Sequence, residues 1–330
     1  MIKTIIILTI STICLINCYK SKNPLFDQIV VDGNWKMTHY SQDQEYYWSF
    51  YFSDQNNGWV VGQSGKILYT NDGGNNWKFQ DSGTGNDLFS VYFYNSKIGW
   101  AVGKNNTVIN TKDGGYNWRI VDVNNDTIKS FYEIAFSDKN NGWLISNHGE
   151  LFHSADEGKS WNLQFKWEMG GAGFIQFINN NVGIIKPIIG NQIFITTDGG
   201  KDWTSEQVNI SMAWETDIFF IDNNYGWICN SRMASSLWED YSSVYFTKNG
   251  GVDWEQLTTL PERHLGAIHF IDRLNGWVAG SEIYHTNDGG YTWNCQTPNT
   301  SAFFRDIYFY DSVNGWALDF SGNIYKFIPK

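Results

Sequence analysis

The sequence predicts an all-β fold, a seven-bladed β-propeller of four-stranded antiparallel blades, and three observations carry the prediction. A Gly-Trp pair recurs at Gly58-Trp59, Gly99-Trp100, Gly142-Trp143, Gly226-Trp227, Gly276-Trp277 and Gly315-Trp316, with Gly183-Ile184 in the remaining slot. A second motif alternates with it and ends in Trp: Asp72-Gly73-Gly74 with Trp77, Asp113-Gly114-Gly115 with Trp118, Asp156-Glu157-Gly158 with Trp161, Asp198-Gly199-Gly200 with Trp203, Asn249-Gly250-Gly251 with Trp254, and Asp288-Gly289-Gly290 with Trp293. Self-similarity at this period is the mark of a repeat architecture. The composition agrees: of 330 residues 17% are aromatic, and 32 Gly stand against 5 Pro, as short strands joined by tight turns require.

The elements follow in chain order. Residues 1–17 read as an export signal: Lys3 precedes an apolar run, Ile5 to Ile16, too short to span a bilayer. Leu15-Ile16-Asn17-Cys18 resembles a bacterial lipobox, so Cys18 is the expected lipidation site, with Asn17 where that motif has a small residue. Residues 18–28 form a short tether and residues 29–330 the propeller. With Cys14 removed and Cys18 acylated, Cys229 and Cys295 remain, on non-equivalent strands of neighbouring repeats, and are expected not to pair.

A seventh, shortened copy of the second motif, Asp32-Gly33-Asn34-Trp35, stands before the first Gly-Trp, and none follows Trp316. A lone terminal strand leaves backbone groups unpaired, so the strand at Trp35 is expected to join the last three strands, spanning Phe304 to Phe327, and close the ring. Within a repeat the four strands are expected at Leu88 to Tyr94, Trp100 to Gly103, Thr107 to Thr111 and Trp118 to Val123. The innermost strand of every copy ends in Phe: Phe52, Phe93, Phe136, Phe177, Phe220, Phe270 and Phe309, the expected core between blades. Two residues on, Asp54, Asn95, Asp138, Asn179, Asp222, Asp272 and Asp311 supply the short acceptor that a tight turn needs. In the second motif the acidic or amide side chains of Asp72, Asp113, Asp156, Asp198, Asn249 and Asp288 are expected to accept backbone N–H bonds across a hairpin, a structural role.

The leading hydroxyl residues, Thr70, Thr111, Ser154, Thr196, Thr247 and Thr286, make this second motif resemble the Asp-box of sialidases, sortilin-type receptors and xyloglucan-active glycosidases. The whole unit, inner strand ending Phe-x-Asp/Asn, then Gly-Trp, then Thr-x-Asp-Gly-Gly-x-x-Trp, is similar to the photosystem II stability and assembly factor family over roughly residues 29 to 328. That resemblance implies a seven-bladed, non-enzymatic scaffold that binds an assembling membrane protein. The family's arginine patch does not carry over, because only Arg119, Arg232, Arg263, Arg273 and Arg305 occur.

Function classes narrow accordingly. A net charge of −11 with Lys and Arg scattered singly leaves no basic stripe for nucleic acid. No phosphate-binding glycine loop opening a helix and no zinc spacing of His and Cys occurs, so no cofactor and no metal are expected. Glycosidase chemistry needs two carboxylates across a cleft; Glu168 and Glu239 are the pair such a reading would use. Glu133, Asp217 and Asp306 occupy equivalent inner-strand positions and are expected as a solvated rim of the central channel, with cation binding the alternative.

Because strand direction alternates, the first and third turns of each blade share one face; second turns and blade connections share the other. Of 17 Trp, thirteen belong to the repeats; Trp48, Trp167, Trp214 and Trp238 do not, and all four fall where they are expected on the second face. An insertion in the fifth repeat carries Arg232, Met233, Trp238, Glu239 and Tyr241 there, and Arg263, Arg305, His264 and Tyr47 map to the same face. Aromatics and arginines on a rigid scaffold suit capture of a polypeptide. The expected partner-binding face is therefore Trp48, Trp167, Trp214, Trp238, Arg232, Arg263, Arg305 and Tyr241, centred on blades four to seven. The expected function is an exported, membrane-anchored, non-catalytic scaffold, periplasmic or on the cell surface, binding an extended segment of an envelope protein. The membrane is touched only through the lipid. The alternative is a carbohydrate-binding or glycoside-hydrolysing propeller using the same aromatics.

Overall fold

In the computed structural model, residues 33–41, 45–123, 129–167, 171, 173–210, 216–232, 241–261, 264–296 and 302–329 are described. They form seven four-stranded antiparallel sheets, each a meander in sequence order except one. That one is the closing blade: Gly33–His39 pairs antiparallel with Ile324–Pro329, outside Gly315–Asp319 and Phe304–Phe309. Trp35 faces Phe327 in this register, so the displaced motif at the start of the chain supplies the outer strand missing at its end. Blades one to seven begin at residues 47, 88, 131, 174, 217, 265 and 304. The second blade runs Leu88–Phe93, Gly99–Gly103, Val108–Thr111 and Trp118–Ile120, within a residue of expectation except at its frayed outer end. The segments expected to be a signal, the Cys18 lipidation site and a tether lie outside the described residues.

The seams between blades repeat one aromatic joint. The Trp of each Gly-Trp stacks face to face on the inner-strand Phe of the next blade: Trp59 on Phe93 at 3.4 Å, Trp100 on Phe136 at 3.9 Å, and Trp143 on Phe177 at 4.1 Å. Trp227 on Phe270 at 3.7 Å and Trp277 on Phe309 at 3.5 Å continue the series. Trp316 on Phe52 at 3.5 Å closes it. The Trp of the second motif then meets the edge of the same Phe, as Trp77 does with Phe52 and Trp118 with Phe93. Trp35 plays that part for Phe309 in the closing blade. Each of these Phe rings is thereby clamped on a face and an edge, and the edge contacts suit the ring quadrupole. The fourth blade departs: Ile184 replaces the Trp and packs with Phe220 in a purely aliphatic and aromatic cluster.

Five inner strands carry a β-bulge at the same place, where register slips across Trp48, Phe89, Tyr132, Gly266 and Arg305. The second strand answers with Gly62, Gly103 and Gly280, where a Cβ would collide with the carbonyl of Tyr46, Asp87 or His264. A bulge turns its extra side chain away from the regular alternation. Here it directs that residue to the mouth of the central channel.

Candidate functional site: the channel mouth and the two faces of the ring

The face bearing the first and third turns satisfies itself. In the box at residue 72 the Thr70 hydroxyl donates to Asp72 at 2.8 Å and accepts from the Gly74 N–H at 2.9 Å. Asp72 in turn accepts from the N–H groups of Asn75 and Asn76 at 3.0 and 2.9 Å. Burial opposes ionisation there, but the Asn76, Thr70 and Asn75 donors outweigh it and hold Asp72 at about 2. Asp113, Asp156, Asp198, Asn249 and Asp288 accept the equivalent hydroxyl and main-chain donors. Gly73 and Gly74 sit at φ 69° and 80°, where a side chain is strained. The third box puts Glu157 at φ 66°, and Lys112, Lys139 and Lys159 surround its carboxylate within 3.6 Å. The first turns work likewise: Asp54 accepts from the N–H groups of Asn56 and Asn57 at 2.8 Å. Arg273 bridges blades five and six on this face, 2.7 Å from Asp222 and over the Tyr225 ring. These side chains are spent on the fold.

The channel wall is a belt of bonds between neighbouring blades. In four blades the residue before the inner-strand Phe, Tyr92, Gln176, His269 or Tyr308, reaches the main chain of the next blade: the Gln176 amide brackets Phe220, donating to its carbonyl at 3.0 Å and accepting its N–H at 2.9 Å. His269 lies 2.9 Å from the Phe309 carbonyl, and burial holds its imidazole down at about 4. Tyr308 donates to the Phe52 carbonyl at 3.4 Å. Two positions earlier come the three carboxylates. Asp217 accepts the Ile268 N–H of the next blade at 2.9 Å, and Glu133 accepts the Ser90 hydroxyl of the previous one at 3.1 Å. Burial, and for Glu133 and Asp306 the neighbouring carboxylates, raise Glu133 to about 8, Asp217 to about 6 and Asp306 to about 7. The three side chains line the channel as expected and keep partial access to solvent; in addition Asp217 and Glu133 are hydrogen-bonded to neighbouring blades and so tie them together. Among the described residues no cluster of His, Cys, Asp and Glu is placed to hold a metal ion.

Above that belt, on the second face, the bulges build an aromatic ladder across blades one to three. Trp48 meets the edge of Phe89 at 5.2 Å, and Phe89 stacks on Tyr132 at 4.5 Å and 18°. Tyr132 is 42% exposed. On the other side of blade one, Arg305 leans over Phe320 at 5.1 Å and donates to the Tyr47 carbonyl at 3.2 Å. Phe303 and Phe320, half exposed and joined by a main-chain bond, flank it together with His264.

The model for the family described as "Photosynthesis system II assembly factor YCF48" matches residues 28–126 and 76–210, together more than half of the 330-residue chain. The chain belongs to this family. Among solved structures it is similar to "YCF48 bound to D1 peptide", at 18% identity and TM-score 0.72, covering 91% of this chain and 100% of that one. It is also similar to YCF48 from Cyanidioschyzon merolae, at 20% identity and TM-score 0.74, covering 89% and 99%. The WD40 propeller domain of Doa1 matches at 10% identity and TM-score 0.66, covering 90% and 98%. At such identities these likenesses speak for the fold. No curated protein matches in sequence.

Within this family member the expected partner-binding residues part company. Arg305 reaches across the seam of blades seven and one to the carbonyl of Tyr47, the neighbour of Trp48. Trp167 does not join them: it is 4% exposed, packed with Phe165 and Phe194 and against Gly149 in the seam of blades three and four. That corrects its assignment, because the strand Asn162–Lys166 delivers it under the second turn instead of over it. Tyr241 opens a seven-residue strand opposite Arg232 and is half-buried. Trp214, Trp238, Arg263, Glu168, Glu239 and the Arg232 side chain lie outside the described residues. Sequence reading missed Phe89, Tyr132, Phe303 and Phe320. For Phe89 and Tyr132 a signal was available at the fourth position before the terminal Phe, which reads Trp48, Phe89 and Tyr132 in successive repeats. Cys229 and Cys295 are free thiols.

Proposed function

We propose that the chain is a non-catalytic protein-binding scaffold whose second face captures an extended segment of another polypeptide. The observation that carries this is the run of contacting aromatics Trp48, Phe89 and Tyr132 at the channel mouth, with half-exposed Phe303 and Phe320 beside Arg305, opposite a face whose carboxylates and amides are consumed by turns. The solved relative whose structure is described as bound to D1 peptide supports it, as does membership of an assembly-factor family. The remaining parts of the reading come from the sequence: a bacterial lipoprotein, exported, processed before Cys18 and held to an envelope membrane by acyl chains. The strand Gly33–His39 starts at the end where the boxes lie, opposite Ile324–Pro329 running outward.

The test is affinity capture from detergent-solubilised envelopes of the native host, comparing the tethered propeller with a Phe89→Ala/Tyr132→Ala variant, beside a glycan array. A protein held by the former and lost with the latter is the expected result. Silence in capture with a clear glycan signal overturns the scaffold in favour of carbohydrate binding.

A further inference from the structure

The pocket beside Arg305 is the place where the repeat pattern leaves a hole. Four bulges fill their station at the channel mouth with Trp48, Phe89, Tyr132 and Arg305; the sixth blade has Gly266, and a Cβ built there meets nothing within 4 Å. The missing side chain opens a cavity of about 390 Å³ lined by His264, Gly266, Phe303, Phe304, Arg305 and Phe320. Its walls are apolar, and its one permanently charged group is the Arg305 guanidinium. That group is deeply set: burial works against its charge, and Asp306 only partly compensates. Among the described residues it makes one hydrogen bond, to the Tyr47 carbonyl, and no carboxylate lies within ion-pair distance. A guanidinium presents a fork of N–H donors, and one carbonyl leaves most of the fork unused.

Resting on the scaffold reading, the geometry points to a pocket for the free C-terminus of a polypeptide. Arg305 takes the terminal carboxylate, and the three Phe rings take the apolar side chain beside it. An Asp or Glu side chain fits less well: its carboxylate is the tip of its own side chain and brings no apolar group to the walls. Only a chain end joins an anion and an apolar side chain on one carbon. The ladder Trp48-Phe89-Tyr132 lies along the rim from the pocket, in position for the preceding residues.

The test uses the full chain on arrays of short randomised peptides ending in Leu, Phe or Val, printed as free acids, as C-terminal amides, and as amides with one internal Asp. Binding is expected on the free acids and about ten- to a hundredfold weaker on both amide sets, the range of one charge-assisted bond. Gly266→Phe, which plugs the hole without a backbone clash, is expected to abolish the free-acid signal while leaving the melting temperature in place. Arg305→Gln is expected to make acids and amides alike. Equal binding to acids and amides by the native chain, undiminished binding by Gly266→Phe, or silence on all three arrays overturns the pocket. Retention of envelope capture in those cases leaves the scaffold reading standing, whereas loss of both removes the two together.

Discussion

The two faces of this ring are built from the same seven repeats and spend them differently. On the box face, six copies repeat one circuit of hydroxyl, carboxylate or amide, and main-chain N–H, and even the departure at Glu157 is neutralised by three lysines. On the second face the corresponding station is occupied by Trp48, Phe89, Tyr132, Gly173, Thr216, Gly266 and Arg305 in turn. Where a structural job constrains a position, the copies agree; where they disagree, the backbone still repeats and only the side chain is free to specialise. The lesson is to look for function in the variable residue at a constant geometric station.

The largest effect is expected from breaking the frame both faces share. Deleting residues 1–40 removes the outer strand of the closing blade and leaves Ile324–Pro329 as an unpaired edge. Cooperative thermal unfolding, followed by circular dichroism, should give way to a broad transition with ready proteolysis. Next in size, Trp59→Ala empties a fully buried seam and is expected to cost about 3–5 kcal/mol in denaturant unfolding. Any clear shortfall would mean that the stacked joints are less load-sharing than the geometry implies.

The channel belt makes a prediction of sign. Glu133 is raised from 4.5 to about 8, so its folded state holds a proton that the unfolded chain has released. Its contribution is present below about pH 4.5 and is lost as pH rises to about 8. Glu133→Gln should therefore gain on the native protein by about 1–3 kcal/mol between pH 5 and pH 8, measured by urea unfolding. The buried His269, held down at about 4, works in the opposite direction below its ordinary value of 6.5, so the native profile should be humped. A flat difference between variant and native protein would show that Glu133 is not shut inside the ring. The smallest effect on stability, under about 1 kcal/mol, is expected from Tyr132→Ala, a partly exposed side chain. Capture of the partner should nevertheless suffer, which sharpens the contrast with Trp59→Ala, where stability suffers first.

The frame was legible because it rests on local rules repeated seven times. Gly-Trp, the terminal Phe and the box each announce a turn or a seam, and the displaced copy at Trp35 announced the closure. The site was only half legible. Trp48 and Arg305 stand at the bulged starts of their inner strands, whereas Trp167 belongs to the core, and Phe89, Tyr132, Phe303 and Phe320 were not singled out. Counting which Trp fall outside the repeats is a poor guide to exposure, because one strand direction or one residue of register decides between surface and seam.

By itself, the sequence determined the number of blades, the identity of the seam residues and the closing strand, since all of these are written in periodicity. Only the tertiary structure decided which inner-strand side chains reach the channel mouth, that Asp217 and Glu133 tie blades together, and that Gly266 leaves a pocket beside Arg305. Those outcomes depend on bulges and on residues brought side by side around the axis from distant repeats, and no pattern along one strand records them.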